Sequence, residues 1–116
     1  MDSEQLQWAG FGEISGLDVV DLAEESGIDT AVTFVLRGSA DDVDRALAAA
    51  EFTTPPTPGV GVFQPSLPGV DLEELADPES SEDRWQNPSA QTISRLYVRG
   101  ETPDGSELIH VWAFTT

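Results

Sequence analysis

The sequence predicts an α+β fold: a mainly antiparallel four-stranded sheet, with its elements in the order ββαββ, and one main helix across one face. Alternating polarity over residues 29–38, and a Pro-Asp-Gly-Ser turn between two strand-like runs near the end of the chain, indicate the sheet. Apolar residues at helical spacing between residues 40 and 50 indicate the helix. A chain of 116 residues is close to the commonest domain size, so we expect one domain over residues 1–116.

The first candidate strand, residues 16–26, fits two kinds of element. Leu17, Val20 and Ala23 have the spacing of a helix, whereas Val20 and Leu22 alternate as in a strand that leads into a Ser-Gly turn. We favour the strand. A helix at this position would leave a three-stranded sheet.

The second strand and the main helix follow each other directly. Val32, Phe34 and Leu36 alternate on one face of the strand, in a segment rich in β-branched residues. Ser39 and, three residues later, Asp42 make a helix start like a capping box. The apolar stripe of the helix consists of Val43, Ala46, Leu47 and Ala50.

The last two strands are expected to form a hairpin. Asp104 and Gly105 are typical of a two-residue turn, here between residues 92–100 and 107–115. This turn would place three pairs opposite each other on one side: Arg99 with His110, Tyr97 with Trp112, and Arg95 with Phe114. The other side would receive the helix and consists of Leu96, Val98, Ile109, Val111 and Ala113.

Two segments lack clear periodicity. An N-terminal arm, residues 1–15, carries Trp8 and Phe11, whose rings favour docking on the domain. A long Pro-rich and acidic connection, residues 53–91, is expected to fold over an edge or the open face of the sheet, with a short helix capped by Asp71.

The charge of the chain restricts its partners. There are 22 acidic residues against five arginines and no lysine, which gives a formal net charge of −17. Phosphate backbones and anionic membranes attract basic surfaces, so binding to nucleic acid and to membrane surfaces is disfavoured. Colloidal stability or a high-salt habitat would explain the acidity, and so would recognition of a basic protein.

The sequence contains no assembled catalytic, metal-binding or cofactor-binding motif. Cysteine is absent, and the sole histidine, His110, has no nucleophile and orienting carboxylate placed by a motif. Asp41, Asp42 and Asp44 lack the central glycine and terminal glutamate of a calcium-binding EF-hand loop. We therefore expect no enzyme, no metal and no cofactor, and no apolar run is long enough for a transmembrane segment.

Two surfaces are candidate binding sites. The first combines arginine and aromatic side chains, the types that dominate binding hot spots, although packing within the protein is a competing interpretation. It consists of Arg95, Tyr97, Arg99, His110 and Trp112. The second would attract a basic partner and consists of Asp41, Asp42, Asp44, Asp71, Glu73, Glu74, Asp77, Glu79, Glu82 and Asp83.

A resemblance to other proteins rests on structural motifs. These are the segment SGIDTA at 26–31 before a strand, Arg37-Gly38 before the helix, residues 50–52 after it, Trp85, and the closing strand over 108–116. In them the chain resembles small actinobacterial proteins, many of the exported-lipoprotein type, whose domain combines a sheet and a helix. The resemblance implies no activity. Because no lipobox cysteine is present, export would concern a precursor, and a cytoplasmic location stays open.

The sequence thus predicts a non-catalytic acidic binding domain whose first partner class is protein. It does not determine the oligomeric state. The leading alternative is an acidic inhibitor or immunity protein that neutralises a basic enzyme, for which imitation of nucleic-acid charge is one route. A second alternative is a small-ligand carrier, with an apolar cavity beneath residues 60–67.

Overall fold

The computed structural model describes residues 4–12, 14, 16–25, 30–52, 54–59, 66–67 and 70–115. Along the chain these form helix α1 (Glu4–Trp8), strands β1 (Asp18–Glu25) and β2 (Ala31–Gly38), helix α2 (Ala40–Ala49), strand β3 (Thr57–Pro58), a 3-10 turn (Leu72–Glu74), and strands β4 (Ala76–Gln86), β5 (Thr92–Glu101) and β6 (Glu107–Thr115). The strands make one antiparallel sheet in the order β1-β2-β6-β5-β4-β3. The α+β class and the antiparallel sheet are confirmed, but the predicted count of four strands was wrong, because the described sheet has six.

The main helix forms where its signals place it. Ser39 is the N-cap, and its hydroxyl accepts the Asp42 N–H at 3.1 Å. The apolar stripe is buried against the sheet, as Val43, Ala46, Leu47 and Ala50 show. Residues 16–26, which fitted either a helix or a strand, contain strand β1, and this strand pairs with β2.

Strand β4 lies within residues 53–91, the segment expected to be a long Pro-rich and acidic connection. It pairs with β5 along nearly its whole length. Alternate side chains reach opposite faces, so that Asp83 and Trp85 point to the side of the helices while Ser80 and Glu82 point away. Pairing with β5 overrides the low strand propensity of the acidic residues. The remaining edge strand, β3, pairs with the middle of β4.

The hairpin register differs by one residue from the predicted one. The observed pairs are Arg95 with Ala113, Tyr97 with Val111, Arg99 with Ile109, Leu96 with Trp112, and Val98 with His110. A one-residue shift moves every side chain of one strand to the other face. The predicted arginine and aromatic face is therefore divided between the two sides of the sheet, and so is the predicted core face.

Pro103 accounts for this shift. A two-residue turn centred on Asp104 and Gly105 would need a backbone N–H from residue 103, which proline lacks. Instead, the Gly105 N–H bonds to the Thr102 carbonyl at 2.9 Å, and Gly105 itself adopts a φ of +88°. This is the longer hairpin loop in which a glycine with positive φ follows a tight turn.

Both faces of the sheet are covered in part. On the helix face, α2 and α1 pack on the core, and Phe11 of the N-terminal arm meets Phe34 edge-on at 5.3 Å between ring centroids. Over the second face runs what we call the covering segment, residues 66–67 and 70–75. Its Leu75 forms a smaller apolar cluster with Val98 and Trp112.

Candidate functional site

Arg95, the first residue of the predicted arginine and aromatic surface, lies inside the helix-face core with 0% of its surface exposed. Its guanidinium donates to both carboxylate oxygens of Asp83, at 2.9 and 2.7 Å, and to the carbonyls of Ala9 and Ala50, at 3.0 and 2.9 Å. A Cβ at Gly10 would lie 2.6 Å from Nη1 of Arg95, so the glycine makes room for the guanidinium. Arg95 therefore ties together the arm, the end of α2 and strand β4.

Aromatic rings enclose this guanidinium. The Cζ of Arg95 lies 4.9 Å from the ring centroid of Phe52 and 4.7 Å from that of Trp85. Tyr97 meets Phe52 edge-on at 4.9 Å, and burial raises the pKa of its hydroxyl. These contacts are internal packing, which was the competing interpretation of the arginine and aromatic pattern.

The guanidinium of Arg99 is also engaged in hydrogen bonds within the protein. Its Nε donates to Oε2 of Glu107 at 2.7 Å, and Nη1 donates to Asp44 on helix α2. Burial lowers the pKa of Arg99, but the hydrogen bonds to Glu107 and Asp44 outweigh it, so the pKa is raised overall. Arg99 thus attaches the helix to the sheet.

His110 and Trp112 lie on the second face, away from both arginines. The imidazole of His110 is fully buried and stacks on Trp112 with ring centroids 4.0 Å apart. Its Nε2 accepts the N–H of Leu67 at 2.9 Å, so the neutral ring carries its proton on Nδ1, a buried atom with no hydrogen-bond partner among the described residues. Burial lowers the pKa of His110 to about 4, against an opposing effect of Asp21. The histidine serves as an acceptor that holds the covering segment.

The ten acidic candidates do not form one surface. The candidates on α2 lie on the helix face, where Asp42 pairs with Arg45 and Asp44 pairs with Arg99. Asp83, on strand β4, pairs with Arg95, and its side chain is only 7% exposed. Strand β4 divides its acids between the faces, with Glu79 on the helix face, Glu82 on the second face and Asp77 at a ladder irregularity. The structure brings together three of them on the covering segment: Asp71, Glu73 and Glu74.

A groove lies beside that acidic turn, on the second face of the sheet. It has a volume of about 340 Å³ and lies between the covering segment, the bulged edge strand β1, the end of β2 and the hairpin loop. Its walls are formed by Val20, Arg37, Val70, Asp71, Glu74, Leu75, Leu108 and the loop residues Thr102, Pro103 and Asp104. We call it the rim groove and take it as the candidate functional site.

The charge on one side of the rim groove is kept negative by the hairpin loop. Asp104 accepts hydrogen bonds from the Thr102 hydroxyl and from the Ser106 N–H, and these lower its pKa to about 2. Its other carboxylate oxygen lies 3.8 Å from Arg37, and both side chains are about half exposed. Asp104 is therefore an anion at any pH near neutrality.

Sequence reasoning found only Asp71 and Glu74 among the residues of this groove. The others come from four separate parts of the chain and carry no shared spacing. One signal was visible: Asp104 in a Pro-Asp-Gly loop between strands was certain to lie at a sheet end. Nothing in the sequence indicated that the bulge residue Val20 would border the same groove as Asp104.

Two other expectations concern space and metals. The cavity predicted beneath residues 60–67 lies largely outside the described residues, although Leu67 and Trp112 border a depression of about 260 Å³. In the described ranges, no group of three or more histidine or carboxylate side chains is arranged to hold a metal ion. None of the helices in those ranges is long and apolar enough to cross a bilayer.

Comparison with protein-family models, curated proteins and solved structures gives no match. The resemblance to exported actinobacterial proteins stays a prediction.

Proposed function

We propose that this chain is a non-catalytic binding domain whose partner is a basic protein. The observation that carries the proposal is that most arginines form ion pairs within the chain. Four of them, Arg37, Arg45, Arg95 and Arg99, pair with carboxylates of the same chain. The fifth, Arg84, is exposed on the second face and outside these pairs. Most of the cations are thus committed to internal pairs, and most carboxylates on the described surface face solvent without one.

The second face is the side that such a partner would meet. Asp71, Glu73 and Glu74 stand together on the covering segment, and no ion pair joins them to an arginine among the described residues. A field of one sign accelerates encounter with an oppositely charged protein and disfavours partners of like charge. The charge therefore supplies both speed and selectivity for a cationic surface.

A catalytic role is not part of the proposal. His110 is the one imidazole of the chain, and it lies on the opposite face from Arg95 and Arg99, fully buried and already bonded to Leu67. General acid or base catalysis needs a group within reach of a substrate. The side chains that would have made a catalytic constellation are thus kept apart by the sheet.

Affinity capture tests the proposal. The immobilised chain would be exposed to lysate and culture fluid of the source organism at low salt, and again at about 0.5 M salt, where the Debye length falls to roughly 4 Å. The matched control is an immobilised chain of identical composition in scrambled order, because it has the same charge and lacks the fold. We expect one basic protein to be enriched on the folded chain at low salt and reduced at high salt. Equal recovery on the scrambled chain, or no basic protein at either salt concentration, would refute the proposal and assign the acidity to solubility.

A further inference from the structure

The rim groove contains an apolar residue that the fold leaves uncovered. Val20 is 50% exposed and is the exposed large hydrophobic side chain among the described residues. It has no partner in the ladder between β1 and β2, because the register shifts between Val19 and Asp21. A bulge of this kind redirects one side chain and is common beside functional sites. Here it places an uncovered valine at the wall of the groove.

Other apolar groups continue this wall. Val70 and Leu75 of the covering segment, Leu108 of β6 and Pro103 of the hairpin loop all border the same space. Leu75 is itself 7% exposed and anchors the wall to the sheet. The groove therefore offers apolar contact on several sides.

The rim adds negative charge to this apolar space. Asp71 and Glu74 come from the covering segment and Asp104 from the hairpin loop, so the three carboxylates approach from two different elements. Arg37 is the single cation in the lining, and it is half exposed and 3.8 Å from Asp104. The local balance is thus negative even with this arginine in place.

An apolar wall beneath an acidic rim complements one kind of group. Lysine and arginine side chains consist of an apolar stem and a cationic head, and they bury the stem while the head stays at a polar edge. The volume of about 340 Å³ is at the lower end of the range for small-molecule sites. It is suited to a single side chain more than to a cofactor.

We propose that the rim groove receives one lysine or arginine side chain of the basic partner protein. This inference rests on the proposed function and identifies the anchoring contact within it. The stem would lie against Val20 and Leu108, and the head would reach Asp71, Glu74 and Asp104. Arg37 competes with the incoming cation for Asp104, so it weakens the site and limits binding to partners that present a well-placed side chain.

Nuclear magnetic resonance titration of the ¹⁵N-labelled full chain tests this directly. The probes are N-acetyl-arginine amide and N-acetyl-lysine amide, with N-acetyl-norleucine amide as a probe that keeps the stem and lacks the charge. We expect saturable binding of the cationic probes in the millimolar range, with shifts centred on Val20, Val70 and Leu108, and no saturation with norleucine.

Matched variants separate the groove from the general negative field. Asp71→Asn with Glu74→Gln should weaken the cationic probes about five-fold, while the equal charge change Asp41→Asn with Glu51→Gln on the helix side should have an effect below about two-fold. Asn at position 71 keeps the oxygen that accepts the Glu73 N–H, so the turn is retained.

Two single variants test the wall and the competing cation. Val20→Ser alters an exposed residue and should weaken the cationic probes about three-fold. Arg37→Gln should strengthen them by about two-fold to three-fold, because it removes the competitor for Asp104. The amide spectrum of each variant reports whether the fold is retained.

Three results would overturn the proposal: no saturable binding of the cationic probes, equal weakening by the two charge-matched double variants, or norleucine amide binding as tightly as lysine amide. Each of these leaves the proposed function standing if the folded chain still captures a basic protein in a salt-dependent way. If the capture fails while the probes still bind in the groove, the proposal of a protein partner is refuted, and the groove is instead a site for a free cationic ligand.

Discussion

Replacing Arg95 by methionine removes a guanidinium that is fully buried and makes four hydrogen bonds. Methionine fills much of the same volume and keeps an apolar stem between the rings of Phe52 and Trp85. The variant therefore tests the charge and the hydrogen bonds more than the packing. It leaves Asp83 as a lone carboxylate with 7% exposure.

The expected loss follows from this arrangement. Breaking a buried ion pair by removing one partner costs about 3–5 kcal/mol, because the other charge stays buried. The carbonyls of Ala9 and Ala50 also lose their donor, which costs about 1–3 kcal/mol for each group that stays dry. A domain of ordinary stability has about 5–15 kcal/mol in total. We expect Arg95→Met to remove at least about 4 kcal/mol from the free energy of unfolding.

Urea unfolding followed by tryptophan fluorescence measures this loss, since Trp85 reports on the site itself. The double variant Arg95→Met with Asp83→Leu removes the lone charge and should recover about 2 kcal/mol or more of it. If Arg95→Met alone does not fold, Asp83→Asn gives the second measurement, because it removes the charge while retaining an acceptor. A loss below about 1 kcal/mol for Arg95→Met, or a double variant as unstable as the single, would refute the reasoning.

Three further predictions concern local features. Ser39→Ala removes the acceptor of the Asp42 N–H and should cost about 1 kcal/mol in urea unfolding, whereas Ser39→Asp retains an acceptor and should stay near wild type. Gly105→Ala should cost about 1–2 kcal/mol in the same assay, because alanine is strained at the φ of +88°. New packing contacts would not reduce this cost, since a Cβ at Gly105 meets no atom within 4 Å. Burial holds the pKa of His110 at about 4 when folded against 6.5 when exposed, so the unfolded state takes up a proton first and stability should fall as the pH drops from about 6.5 to 4. His110→Leu should remove that fall from the curve of unfolding free energy against pH, and an unchanged curve would contradict it.

The elements with strong periodicity were predictable. Strand β2 and helix α2 show apolar spacing, and Ser39 marks the boundary between them. Strand β4 was not predictable in this way, because its residues Ala76–Gln86 are mostly polar and acidic. It becomes a strand through its pairing with β5 and through the bond between Asp83 and Arg95, two residues that are 12 positions apart.

The candidate site shows the same division. Composition identified the acids, and the acidic turn at 71–74 proved to be one of their clusters. The grouping of arginines and rings on one hairpin face failed because a single residue, Pro103, changes the loop and with it the face of every side chain on one strand. The rim groove could not be read from spacing, because Val20 and Asp104 are brought together only when the sheet has formed.

The bonds of Arg95 join positions far apart in the chain: Ala9 is 86 residues away, Ala50 is 45 and Asp83 is 12. The bonds to Ala9 and Ala50 close long stretches of chain at a cost in entropy, so we expect them to form late in folding, whereas the pair with Asp83 lies within one hairpin. Interactions absent from the transition state slow unfolding without speeding folding. The buried arginine is therefore expected to set the lifetime of the folded state, and its loss should appear mainly as a faster unfolding rate, with refolding almost unchanged.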